Sequence, residues 1–88
     1  MDIIIGDKIA KDLHITKSLE NIMYNTLQKG IFEIYWKGNN IIVNIQNTNY
    51  IHTDIHTDLI YQIQTTIQDT KYASLIYTHG KHTTIIHT

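Results

Sequence analysis

The sequence predicts a small α+β domain, an antiparallel sheet of four to five strands with two helices packed on one face, in the order β-α-β-β-α-β-β. Three features lead to this expectation. Two stretches carry apolar residues at helical spacing, two others alternate apolar and polar residues around a glycine turn, and 88 residues suffice for one hydrophobic core but not two. Residues 1–88 are therefore expected to form a single domain. Net stability of so small a core is slight once chain entropy is subtracted, so a partner subunit, a ligand or a metal is a reasonable contributor to it.

Taken in order, Ile3-Ile4-Ile5 before Gly6 has the β-branched character of a brief strand, and Lys8 to Leu13 suits a helical turn or a loop. Residues 16–29 predict the first helix: Thr16 is a candidate N-cap, Leu19, Ile22, Met23 and Leu27 share a face, and Gly30 follows as a stop. Residues 31–46 predict a hairpin in which Phe32, Ile34 and Trp36 share a side with Ile41, Val43 and Ile45. A Gly38-Asn39 turn of type II′ pairs Trp36 with Ile41, Ile34 with Val43 and Phe32 with Ile45. Moving the turn to Asn39-Asn40 changes the partners but not the shared side.

After the polar Asn47-Thr48-Asn49, the residues Ile51, Ile55, Leu59, Ile63 and Ile67 recur every four positions, with Ile60 widening the stripe. They predict a second helix over roughly residues 52–69, with Asp54 and Asp58 near its positive end. Ile51-His52-Thr53-Asp54 is repeated at once as Ile55-His56-Thr57-Asp58, too few copies for a solenoid. Residues 72–78 and 82–88 predict a second hairpin, in which a Gly80-Lys81 turn sets Leu75 opposite Ile86 and Ile76 opposite Ile85. This ribbon is apolar on both sides, so it is either covered twice or lies against another chain. Such an order suits a ferredoxin-like arrangement with an added strand, or a helix-hairpin-helix-hairpin layout.

Composition excludes several chemistries. The abundance of Ile, Thr, Asn and Tyr, with little Ala and no Pro, is what an AT-rich coding bias produces, so richness alone carries no function. Without Cys there is no disulfide, thiolate nucleophile or Cys-based zinc finger. All seven basic residues are Lys, so the bidentate guanidinium fork is missing, and the net charge of −1 provides no footprint for nucleic acid or an anionic membrane. No stretch nears the ~20 apolar residues of a membrane-spanning helix, and the acidic start is unlike a signal peptide, which predicts a cytoplasmic protein.

Catalytic constellations are equally sparse. Ser18 and Ser74 are not in nucleophile-elbow settings, Glu20 and Glu33 fall on different elements, and the four glycines are isolated. His14 between Asp12 and Glu20 could form a base pair with a carboxylate, but such groups are usually just solvated. Tyr35, Tyr72 and Tyr77 on strands could stack bases, yet the basic flanks of RNA-binding sheets are absent.

Six histidines are the one surplus. On a helix His52 and His56 would share a face, although Thr53 stands where a zinc protease needs its glutamate. Across the second turn His79 and His82 would face each other, with His87 farther along the same ribbon, a set that could hold Zn²⁺ or Ni²⁺ with a carboxylate. Protonating all six would take the formal charge from −1 toward +5. The sequence thus points first to a non-catalytic interaction or self-assembly module, with Leu75, Ile76, Tyr77, Ile85 and Ile86 buried against itself or another protein. A histidine-based metal-binding protein is the alternative.

Overall fold

The computed structural model describes residues 12–27, 31–46, 51–72 and 74–87. Their order is α1 (Leu13–Thr26), β1 (Phe32–Lys37), β2 (Asn40–Ile45), α2 (Thr53–Ile67), β3 (Ser74–His79) and β4 (His82–His87). The strand expected at Ile3-Ile4-Ile5 lies outside the described residues, so the order observed is α-β-β-α-β-β with four strands.

Both hairpins form in the register their turns dictate. Trp36 pairs with Ile41, Ile34 with Val43 and Phe32 with Ile45, while Leu75 pairs with Ile86 and Ile76 with Ile85. Gly38 and Gly80 take φ values of 59° and 58°, and no other described residue has a positive φ. Positive φ at the first turn residue alone is the signature of a II′ turn, which glycine adopts without strain.

The sheet order is β1-β2-β3-β4, and β2 pairs with β3 in parallel. The expected antiparallel sheet is therefore corrected to a mixed one. The physical reason is α2, which carries the chain back to the end at which β2 began, so β3 must run in the same direction as its neighbour.

Both helices lie on the face formed by Trp36, Ile41, Val43, Ile45, Leu75, Tyr77 and Ile86. From α1 come Ile15, Leu19, Met23 and from its C-cap Leu27; from α2 come Leu59, Ile63 and Ile67. The helices pack against each other, α1 above β1 and α2 above β4. No helix among the described residues is long and apolar enough to cross a membrane.

Helix α1 starts at Leu13, three residues before the expected Thr16, and its N-cap lies four residues before that position. Asp12 is the N-cap, its carboxylate accepting from the Ile15 N–H at 3.1 Å and from the Tyr72 hydroxyl at 2.9 Å. Thr16 instead sits inside the first turn, where its hydroxyl donates to the Asp12 carbonyl at 3.0 Å and accepts the indole N–H of Trp36 at 2.9 Å. Tyr72 meets Trp36 edge-on with centroids 4.8 Å apart. One polar knot thus ties the start of α1, strand β1 and the loop before β3.

Replacing Thr16 with Val keeps the volume but strips the buried indole of its acceptor. The expected cost is about 1–3 kcal/mol. Urea unfolding followed by the fluorescence of Trp36, the single tryptophan, measures it. A midpoint equal to that of the parent chain would show that the bond contributes nothing.

Candidate functional site

Three of the six histidines gather at the β3–β4 turn. His79 of β3 and His82 of β4 form the pair that closes the hairpin, and their rings stack with centroids 5.1 Å apart at 29°. From above, α2 lowers His56 onto the other side of His79, 3.7 Å centroid to centroid and 11° from parallel. His56 is 4% exposed, and its Nδ1 lies 2.7 Å from the Tyr77 hydroxyl. Tyr77 and His79 project from the same side of β3 because residues two apart on a strand share a face.

Burial first, then the neighbouring His79 and His82, hold the His56 pKa below its ordinary value. His79 is lowered likewise, by burial and by His82. Burial also pushes the Tyr77 phenol up, so the phenol stays protonated and the imidazole neutral at neutral pH. Among the described residues, α2 brings His56 to this stack, β3 brings Tyr77 and His79, and β4 brings His82; no carboxylate contributes to the shift of either ring.

The remaining histidines are elsewhere. His52 is the N-cap of α2 and has extended backbone angles, φ −70° and ψ 150°, so it does not share a helical face with His56 as the spacing suggested. His87 pairs with Ser74 at the opposite end of β4 from the turn, and its odd spacing from His82 puts it on the other face. His14 is exposed on α1. Ring planes as close to parallel as those of His56 and His79 do not intersect within the ~2 Å of a metal–nitrogen bond. Among the described residues no three His or carboxylate side chains are arranged to hold a metal ion.

The candidate interface residues divide by face. Leu75, Tyr77 and Ile86 belong to the chain's own core. Ile76 and Ile85 point the opposite way, in line with Ile42 and Tyr35, and form a row of four across the sheet: Tyr35, Ile42, Ile76, Ile85. The neighbouring rows on that face are polar, namely Lys37, Asn40, Ser74, His87 on one side and Glu33, Asn44, Thr78, Thr83 on the other. Ile42 is buried, whereas Ile85 at the end of the row is 55% exposed.

Among the described residues strand β4 is an edge of the sheet. Its two-residue turn makes His79–His82 a hydrogen-bonded pair, so Thr84 and Ile86 also bond to β3, while the N–H and C=O groups of Thr83, Ile85 and His87 face away from it. The strand carries no Pro and no Lys to discourage pairing.

A cleft of about 260 Å³ is lined by Glu20, Tyr24, Phe32, Glu33 and Ile34 and includes no histidine. It holds no nucleophile beside a base. The Glu33 carboxylate accepts from the Gln46 amide, and Tyr24 meets Phe32 edge-on at 4.9 Å. The His56–Tyr77 pair was not legible in the sequence; the four-residue apolar stripe of α2 placed His56 beside it, but not its partner. Compared with protein-family models, curated proteins and solved structures, the chain has no match.

Two predictions follow from the ring stack. Since folding lowers the pKa of His56 and His79, the unfolded chain takes up protons first as pH drops below about 6.5. Their contribution to stability is complete above that value and shrinks as pH falls through the window beneath it. Urea unfolding at pH 7.5 and pH 5 should show the loss, and a His56→Phe/Tyr77→Phe variant, which removes both partners of the buried bond, should show a shallower one. A second expectation is that one equivalent of Zn²⁺ leaves the melting temperature unchanged at pH 7.5; a clear rise would require the imidazoles to unstack onto a shared ion.

Proposed function

We propose that this chain is a non-catalytic interaction and self-assembly module of the cytoplasm, working through the free edge of β4 and the apolar row that ends on it. The observation that carries this is Ile85: a large, exposed aliphatic side chain on an edge strand whose own N–H and C=O are unpaired among the described residues. Strand addition along Thr83, Ile85 and His87 would satisfy those groups and cover Ile85 together with Ile76. The core residues Leu75, Tyr77 and Ile86 support the surface from beneath.

A net charge of −1 and the absence of Arg favour a protein partner over nucleic acid or an anionic membrane. The alternative, a histidine-based divalent-metal protein using Zn²⁺ or Ni²⁺, has less support because the stacked rings do not converge.

Ile85→Lys is the direct test. Its exposure predicts a change in monomer stability within about 0.5 kcal/mol, while self-association measured by sedimentation equilibrium should weaken at least about tenfold. Parent protein that stays monomeric up to about 0.5 mM, where an association of even ~4.5 kcal/mol is visible, would remove the self-assembly role.

A further inference from the structure

Resting on the interaction role of β4, we propose that its partner is a second copy of this chain, joined β4 to β4 antiparallel about a two-fold axis that passes through Ile85. Only residues whose backbone groups face outward can bond across the new seam, and on β4 these are Thr83, Ile85 and His87. A two-fold axis perpendicular to the sheet keeps the helices of both copies on one side, so opposed residues must come from the same face.

Several registers set outward residues against each other, but one alone engages all three. It places Ile85 opposite Ile85 of the second copy, and Thr83 opposite His87 at both ends. Every outward N–H and C=O of the three residues then has a partner. Side chains agree with the backbone. The row Tyr35, Ile42, Ile76, Ile85 continues into the same row of the other copy, and the polar Thr83 row meets the polar His87 row. A slide of two residues either way sets Ile85 against Thr83 or His87 and runs the apolar row into a polar one. The strand is thus complementary to itself in a single register, and the four-stranded sheets would merge into one continuous sheet.

The chain has no cysteine, which makes single-cysteine variants clean reporters. Ile85→Cys, Thr83→Cys, His87→Cys and, as a remote control on α1, Lys17→Cys would each be oxidised with diamide and run on non-reducing gels, with Trp36 emission confirming the fold. The proposal expects a disulfide dimer from Ile85→Cys, none from Thr83→Cys, His87→Cys or Lys17→Cys alone, and a dimer from an equal mixture of Thr83→Cys with His87→Cys. A parent dimer in sedimentation whose cross-links do not follow this pattern would overturn the register while leaving self-assembly in place. Monomeric parent protein that never cross-links above the control would overturn both, and a monomer that instead binds an unrelated extended peptide would overturn the second copy but leave the interaction role standing.

Discussion

The parallel ladder between β2 and β3 is the constraint on which the rest of the structure depends. Each hairpin is closed on itself by its own two-residue turn, and only this ladder joins them into one sheet. A parallel join needs a crossover, and α2 supplies it. Once α2 lies on the sheet beside α1, the two helices cover one face, β2 and β3 become central, and among the described residues β1 and β4 become the edges. The edge position of β4, and with it the exposure of Ile85, is therefore a consequence of how the hairpins are joined.

The covered face changes character along the strands. At the Gly38 end lies the row Trp36, Ile41, Leu75, Ile86; at the Gly80 end lies Phe32, Ile45, His79, His82, with Ile34, Val43, Tyr77 and Thr84 between. Parallel pairing of β2 with β3 sends the two turns to opposite ends, which separates the aromatic pole from the imidazole pole. Buried polar groups are matched along this face: the indole to Thr16 at the Gly38 end, and the phenol of Tyr77 in the middle row to His56. Among the described residues no buried side-chain donor or acceptor is left without a partner. A satisfied polar core of this kind favours one arrangement over its neighbours, because a shifted helix would orphan a buried group.

Strand β4 carries both of the chain's unusual features. Its first residue, His82, ends the imidazole stack on the covered face, and Ile85 ends the apolar row on the other. The covered face carries imidazoles that burial holds below their ordinary pKa, while on the other face Ile85 is the exposed end of the apolar row among the described residues. Burial pushes the Tyr77 phenol up and holds the His56 imidazole beside it below its ordinary pKa.

Local patterns were legible in the residues alone. Glycine at the first turn position sets each hairpin's register, and the four-residue spacing of Leu19 and Met23, and of Leu59, Ile63 and Ile67, marks the buried stripe of each helix. These depend on neighbours a few positions away, and they agree with the structure. What the residues could not disclose depends on partners far along the chain. The Asp12 cap of α1 also accepts from Tyr72, 60 residues on, and His56 meets a tyrosine 21 residues away. The clearest case is Ile34-Tyr35 and Ile76-Tyr77, each set the same distance before its turn glycine: Tyr35 stands on the outer face with Ile85, whereas Tyr77 is buried under α2. Sequence alone determined which residues share a face of each hairpin; only the parallel ladder, by turning the second hairpin over relative to the first, decided which of those faces the helices would cover.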